Sequence, residues 1–392
     1  MRRFNISATK IFSIFVFSIL LMPDPLKKIP IFYNLYAIFN VICFTIYMGV
    51  LIVRKKKEKI KKFEIIIILY FIYFLFISIV RGNSSPYNYL IIINQLTLCL
   101  VVFATGKNKI RENIKIIVSI TTIYILINML TLYIYPQGIF SSYTSYGSEV
   151  YSWLLGSKNP CARYIAIALC IRFCYKDYYY HKYSFFDMVF SLICIISIIK
   201  LKSTTGIISI AFMIFLIIFT RKLKIPKNIN YFTIFLIGGL LSILLIEFNI
   251  QNLFKNIIEN VFQKDVSLSD RIYIWKQAKN YIFQNPFFGY GYETDKIMAY
   301  KLLGNHPHNY YLFILYSTGI IGMFLILNLF REMSKMCRNT LQTKVGIVLF
   351  ITLVIMGLTE SLTSTPLMYL SFSIIFYLNE KAVEKEELKY EK

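Results

Sequence analysis

The feature that most constrains this chain is a succession of apolar runs, many of them long enough to cross a bilayer. An α-helix of about 20 apolar residues spans the hydrocarbon core, because it satisfies its own backbone hydrogen bonds there. About twelve such runs are predicted, some of them short. They cover approximately residues 8–22, 31–53, 63–80, 89–105, 116–135, 160–175, 185–200, 207–219, 231–248, 309–330, 345–358 and 366–378. The chain is therefore predicted to be an all-α, polytopic integral membrane protein, and its 57% hydrophobic content agrees with that class.

The basic residues predict the orientation of the chain in the membrane. A formal net charge of +23 would favour nucleic-acid binding in a soluble protein. Here the charge is divided into short clusters between the apolar runs, at Arg54–Lys62, Lys107–Lys115, Arg221–Lys227 and Arg331–Lys344. All four clusters fall on one side if the N-terminus is inside. The positive-inside rule then predicts a protein of the cell membrane (inner or plasma) with both termini cytoplasmic, including the tail 379–392.

One large extracytoplasmic loop is predicted, at residues 249–308, within a single membrane domain that covers 1–392. Inside this loop, Asp270–Gln284 carries apolar residues at helical spacing, which predicts an amphipathic helix lying flat on the bilayer. The turn residues of Asn285–Gly291 then end that helix. The other substantial outer connection, 136–159, is rich in Ser, Tyr and Gly.

Several common kinds of site are not indicated. None of the seven cysteines falls in the long loop, so a disulfide framework is not expected. Cys170 and Cys174 are one helical turn apart, but no histidine or acidic residue stands near them to complete a metal site. The chain has no P-loop, no dinucleotide-binding glycine motif, no H-E-x-x-H and no G-x-S-x-G.

Cations collect at the predicted outer ends of the spans. They are Lys158, Arg163, Lys200, Lys202, Arg271, Lys276 and Lys279, together with His308. For any single lysine, the simpler interpretation is a side chain that snorkels to lipid headgroups. Arg163 and Arg271 are stronger candidates for a site, because the arginine fork matches phosphate oxygens and is costly at a membrane edge unless paired. Glu360 is the acidic residue that stands opposite these cations.

Two of the chain's three histidines lie at 306–308, where the long loop meets an apolar run. Histidine accepts or donates a proton near neutral pH, and here it would do so at the membrane surface. Helical spacing puts Gly319 on nearly the same face as His308, and Gly322 joins that face. Another helix can pack closely against these glycines. The alternative is a helix cap followed by ordinary packing glycines.

The run His308-Asn309, nine residues, Gly319, two residues, Gly322 resembles the signature of O-antigen ligases and the related O-antigen and capsular polysaccharide polymerases. Three further segments resemble the same family in the same order. These are the Gly-Ser-Lys-Asn turn at 156–159, the Arg271-x-x-x-Trp275 segment and the Asn285–Gly291 turn. One departure is visible: the family often has an arginine in the turn that here reads Lys202-Ser203-Thr204-Thr205-Gly206.

The resemblance implies a metal-independent, inverting glycosyltransferase without a cofactor. Its donor would be a glycan on undecaprenyl diphosphate, and an acceptor glycan hydroxyl would attack the anomeric carbon. His308 would be the base, and Arg271 with a second cation, Arg163 or Lys202, would hold the diphosphate. Lys158, Asn309 and Glu360 complete the predicted substrate-binding set. His306 would only shape the loop, since Pro307 favours an extended backbone before it.

The activity itself leaves alternatives. A polymerase and a ligase differ in acceptor, which is another lipid-linked repeat or a lipid A core, and the polymerase is favoured because nothing here indicates a lipopolysaccharide. A polymerase would act beside a flippase and a chain-length regulator. The alternative from another class is a lipid-linked oligosaccharide flippase or transporter. Such folds usually have two similar halves, and no similarity between halves is evident here. A membrane scaffold without chemistry would not need the outer histidine and arginines.

Overall fold

The fold was analysed in a computed structural model of the chain. It describes residues 8–55, 59–143, 149–220, 229–248, 252, 256, 260, 271–304, 306–337, 341–362 and 365–390. The helices are α1 (Ala8–Leu20), α2 (Pro30–Lys55), α3 (Lys62–Arg81), α4 (Pro86–Ile134), α5 (Lys158–Tyr180), α6 (Phe185–Lys200), α7 (Thr204–Thr220), α8 (Tyr231–Glu247), α9 (Arg271–Gln284), α10 (Asp295–Leu302), α11 (Tyr310–Lys335), α12 (Leu341–Gly357) and α13 (Leu367–Tyr390). A 3-10 turn, Leu26–Lys28, separates α1 from α2. The predicted all-α class is confirmed.

Every predicted span overlaps one of these helices, and the fourth and fifth spans share α4. Within the described residues, four helices are both long and apolar enough to cross a membrane by length and composition: Pro30–Arg54, Lys62–Arg81, Pro86–Ile134 and Tyr310–Lys335. The total of twelve spans and the orientation of the termini remain predictions.

Helix α4 is bent where the fourth and fifth predicted spans meet. Gly106 has φ 59° and ψ −166°, outside the helical region, in an element of 49 residues. An added Cβ at Gly106 would lie 3.1 Å from the Arg54 guanidinium, which also donates to the Phe103 carbonyl. The break in the helix therefore exposes a backbone acceptor, and the arginine satisfies it.

The central helix is α5, in which residues 161–172 are all buried. This burial explains how two arginines are tolerated inside a predicted span. Arg172 donates from Nε to Asp187 at 2.8 Å, and Arg163 also has an acidic partner, described below. Both guanidinium groups therefore lie within the protein and away from lipid.

The outer connection between α4 and α5 contains a small sheet that the sequence did not predict. Its strands, β1 (Phe140–Tyr143), β2 (Glu149–Trp153) and β3 (Gly156–Ser157), are antiparallel and lie in chain order. Ser152 pairs with Phe140 on one side and with Ser157 on the other. Because β3 runs directly into α5 at Lys158, the sheet fixes the direction in which that helix begins.

The long loop is described from Arg271 onward, and most of 249–270, including Asp270, lies outside the described residues. The amphipathic helix is present as α9, but its apolar stripe meets protein where the prediction had it meet the bilayer. Its apolar residues Ile274, Trp275 and Ala278 are buried in a cluster with α10 and α11. The apolar stripe therefore fastens the loop to the protein.

The Asn285–Gly291 turn inserts into a break in α11. Gly319 has φ 62° and ψ −164°, so the helical hydrogen bonds across it are lost. The turn replaces them: Ile320 N–H donates to the Pro286 carbonyl at 2.8 Å, Tyr290 N–H donates to the Tyr316 carbonyl at 2.9 Å, and Gly291 N–H donates to the Ser317 carbonyl at 2.8 Å. The expected glycine stripe on a continuous helix is therefore wrong at Gly319, where the glycine forms the break itself.

Replacing Gly319 by alanine should destabilise the protein more than the same change elsewhere. A Cβ at Gly319 would lie 2.3 Å from the Phe287 carbonyl oxygen and would also force a positive φ on alanine. Gly82 has φ 66° with open space around it, so Gly82→Ala introduces the backbone strain alone, about 1–2 kcal/mol. In detergent, the Gly319→Ala protein should unfold at a lower temperature than the Gly82→Ala protein.

The matched control for this series is Gly49→Ala in the middle of α2. No atom lies within 4 Å of the added Cβ, and the change favours a helix by about 0.5–1 kcal/mol. It should therefore unfold at or above the wild-type temperature. A Gly319→Ala protein as stable as the Gly49→Ala protein would contradict the inserted turn.

Candidate active site

A cavity of about 1170 Å³ opens where the predicted outer helix ends meet. Of the predicted site residues, it is lined by Lys158, Arg163, Lys202, His308 and Glu360, and it also touches His306 and Ser361. Arg271 and Asn309 are not among the lining residues. The structure therefore brings most of a set that is scattered over 200 residues of sequence to one place.

At one side of the cavity, Glu360 bridges two arginines. Arg163 Nη1 lies 2.9 Å from one carboxylate oxygen and Arg271 Nη2 lies 2.8 Å from the other. The side chains of Glu360 and Arg163 are 1% and 4% exposed, and that of Arg271 is 12% exposed. Two cations against one anion leave a net positive charge in a place with little water, where charge interactions are strong.

The Glu360 bridge ties together parts of the chain that are far apart in sequence. Arg163 lies near the start of α5, Arg271 is the first residue of α9, and Glu360 follows the end of α12. The Arg163 Nε atom is buried and has no hydrogen-bond partner among the described residues. The Nε donor of Arg163 is therefore unused, and it has no surface exposed to the cavity.

The two loop histidines pack against each other, with ring centroids 3.8 Å apart. The backbone N–H of His308 donates to His306 Nδ1 at 3.2 Å, so Nδ1 is an acceptor. The Ser361 hydroxyl lies 2.8 Å from the same atom and donates to it. This network assigns the proton of neutral His306 to Nε2 and leaves its acceptor nitrogen occupied. The view of His306 as only a loop-shaping residue is therefore incomplete, since it lines the cavity and orients His308.

His308 is held differently from His306. Its backbone has φ 48°, an unusual value for a residue other than glycine and a frequent sign of a functional position. Nδ1 is buried without a partner among the described residues, and none of them bonds Nε2 either. Since Nδ1 is buried, Nε2 is the nitrogen that can meet a substrate in the cavity.

Both histidines are neutral at neutral pH. Burial lowers the pKa of His308 well below its ordinary value of 6.5, and the charges of Arg271 and Arg163 lower it further. Burial also lowers the pKa of His306, and His308 is the next largest cause. A neutral imidazole has one nitrogen that accepts a proton, which is what a general base requires.

Asn309 is fully buried as the N-cap of α11. Its side chain accepts from the Leu312 N–H at 3.0 Å and donates to Ser242 Oγ at 2.8 Å and to the Leu358 carbonyl at 3.0 Å. With 0% exposure it offers no atom to the cavity. The expected contact between Asn309 and a substrate is therefore replaced by capping, which fixes the backbone immediately after His308.

Some of the predicted outer lysines lie on the surface of α9, and others, including Lys200, line the cavity. Lys158 and Lys202 line it, and burial, followed by the charge of Lys202, lowers the pKa of Lys158. The two turns that carry these lysines touch, since Ser203 Oγ donates to Asn159 Oδ1 at 3.3 Å. Lys279 instead pairs with Glu247 at 2.8 Å on the exposed side of α9. Lys276 is also exposed there, so neither residue belongs to the cavity wall.

A metal ion fits this donor set poorly. One ligand atom each from His306, His308 and Glu360 lie within 4.8 Å of one another. However, both carboxylate oxygens already bind arginines, His306 Nδ1 already accepts two hydrogen bonds, and two guanidinium charges stand beside the group. These contacts would have to be broken, and the arginines would repel a cation.

Sequence reasoning missed Ser361, Asp24 and Asp295, which line the cavity. Ser361 had one signal, its position next to Glu360. Asp24 stands between two prolines near the end of the first run, where the pattern indicates only a turn. Asp295 lies at the start of α10, a short helix that the sequence did not predict.

The fold and the site together define an integral membrane protein with a cationic, histidine-bearing cavity at one end of its helices. Residues 189–327 match the model of the family described as O-Antigen ligase. That match confirms the family resemblance, and this part of the chain is O-antigen ligase-like. It contains Lys202, Arg271, His308 and Asn309, whereas Lys158, Arg163 and Glu360 lie outside the matched range. Neither the comparison with curated proteins nor that with solved structures gave a match.

Removing the negative charge of Glu360 should strongly destabilise the protein. Glu360→Gln leaves two buried arginines without their anion, and breaking a buried pair in this way costs about 3–5 kcal/mol. The control is Glu247→Gln, which removes the partner of the more exposed Lys279, where about 0–1 kcal/mol is expected. Thermal unfolding of the purified proteins compares them, and equal shifts would contradict the arrangement.

Proposed function

We propose that this chain is a membrane glycosyltransferase that polymerises undecaprenyl-diphosphate-linked oligosaccharide repeats into a surface polysaccharide, without a metal and with inversion. The observation that carries the proposal is the placement of a neutral, unpartnered histidine, His308, in the same cavity as Arg163 and Glu360. A base and a buried cation are thereby available to one substrate. The O-antigen ligase-like segment supports the same class of chemistry.

In this proposal, His308 Nε2 accepts the proton of the attacking hydroxyl on the acceptor. The hydroxyl oxygen forms a bond to the anomeric carbon of the donor while the bond from that carbon to the diphosphate oxygen breaks. Attack from the side opposite the leaving group inverts the anomeric centre. The proton on His308 then passes to solvent or to the departing diphosphate, which restores the neutral base.

The cations have two different roles in this proposal: some contact the diphosphate, and Arg271 positions another cation. Arg163 lines the cavity, so we assign it to the diphosphate together with Lys158 and Lys202, where it stabilises the charge that grows on the leaving group. Arg271 lies behind Glu360, outside the cavity wall. We therefore assign Arg271 a positioning role, in which it holds the carboxylate that in turn holds Arg163.

His308→Ala should abolish transfer while the protein still inserts and folds. Loss of a general base lowers the rate by roughly 10²–10⁴-fold. His306→Ala removes one acceptor that supports the His308 backbone, so a loss of about tenfold or less is expected. The control is His181→Ala at the C-cap of α5, away from the cavity, which should leave the rate unchanged. The assay is chain extension by purified protein, and cells with His308→Ala should accumulate single lipid-linked repeats.

The same assay distinguishes the alternatives. Lipid-linked repeats alone, with EDTA present, should be extended by the wild-type protein. A requirement for a lipid A core acceptor would identify a ligase, and movement of repeats across the membrane without any new bond would identify a flippase. Retention of substantial activity by His308→Ala, or loss of wild-type activity on adding EDTA, would contradict the proposed mechanism.

A further inference from the structure

The cavity extends beyond the cations to a wall made by strand β2. Glu149, Tyr151 and Trp153 all line it. Val150 lines it as well. Alternate residues of a strand share a face, so Glu149, Tyr151 and Trp153 form one row along the strand, and Ser152 on the other face is buried. The row is about 13 Å long, from the rise of about 3.3 Å per residue. An acid and two aromatic rings therefore stand side by side along the cavity.

This row is held in a fixed arrangement. The Tyr151 hydroxyl donates to Glu149 at 3.0 Å, and Trp153 Nε1 donates to the Tyr135 carbonyl at 2.8 Å. Strand β2 pairs with β1 and β3, and β3 continues into Lys158 at the start of α5. The aromatic rings are thus fixed in place. Only a few residues of chain separate them from Lys158, one of the cations proposed to bind diphosphate.

We propose that this face of β2 is a binding wall for a pyranose sugar of the transferred glycan, an inference that rests on the proposed function. The hydrogen-bearing face of a pyranose ring packs against an aromatic plane, and a carboxylate accepts hydrogen bonds from sugar hydroxyls. The diphosphate is held at the basic residues, and the sugar joined to it lies along β2.

The two tryptophans of the chain allow a direct test. Trp275 is buried in the α9 cluster, so Trp275→Phe leaves Trp153 as the only tryptophan. Fluorescence of this variant in detergent is measured with undecaprenyl diphosphate, with undecaprenyl diphosphate bearing one N-acetylglucosamine, and with methyl glucopyranoside. A response to the sugar-bearing lipid but not to the sugar-free lipid is expected and assigns the wall to the donor. A response to the free glycoside alone would place an acceptor sugar on the wall and would overturn its assignment to the transferred glycan. No response to any ligand, or equal responses to both lipids, would overturn the proposal.

Activity gives an independent test with a matched control. Trp153→Ala should raise KM for the lipid-linked glycan about tenfold, whereas Trp153→Phe, which keeps an aromatic plane, should raise it less than about threefold. Tyr273→Ala removes an exposed aromatic ring on α9 outside the cavity and should leave KM unchanged. Equal losses for Trp153→Ala and Trp153→Phe would show that the hydrogen bond to Tyr135 matters instead of stacking, and would overturn the wall.

The fluorescence test also separates this inference from the proposed function. If the wild-type protein forms no glycosidic bond but Trp153 still responds to the sugar-bearing lipid, the transferase proposal fails and the wall stands. If chain extension depends on His308 but Trp153 does not respond, the transferase proposal stands and the wall fails.

Discussion

The carboxylate of Glu360 is the interaction on which the site depends. One buried anion holds Arg163 and Arg271, and through them it fixes the start of α5, the start of α9 and the connection after α12. Without this carboxylate, burying either arginine would be costly. The bridge also leaves one unit of positive charge in excess beside His308, which adds to burial in lowering the pKa of that imidazole. The carboxylate of Glu360 therefore serves both the fold and the chemistry of the site.

A second constraint is the break in α11 at Gly319. In a bilayer, backbone groups released by a broken helix must find partners within the protein. The Asn285–Gly291 turn supplies them by donating to the Tyr316 and Ser317 carbonyls and accepting from Ile320. Gly319 belongs to the run that resembles the family signature, and backbone geometry explains why a glycine stands there. The turn that inserts at this break fastens the long loop to the helix that follows His308.

The sequence predicted the helices well because long apolar runs are a strong and local signal. The sequence also predicts site roles for Lys158, Arg163, Lys202, His308 and Glu360, and these five residues line one cavity. The errors concern features that depend on tertiary partners. The strands of the small sheet are five residues or shorter, which is too short for a clear alternating pattern, and the apolar face of α9 reads the same whether it meets lipid or protein. Two further features are visible only in three-dimensional contacts. Arg271 reaches Glu360 from outside the cavity, and His306 Nδ1 is occupied.

The most direct test of the account is the pH dependence of kcat/KM for chain extension, which reports ionisations of the free enzyme and free substrates. His308 must be neutral to act as a base, and its pKa is lowered from 6.5 by burial and by the two arginines. Activity should therefore persist as the pH falls through 6.5 and be lost only below it, and Arg163→Gln should move that loss to higher pH in the residual activity. An acid limb at or above pH 6.5 in the wild-type protein, or one that Arg163→Gln does not move, would contradict the central claim.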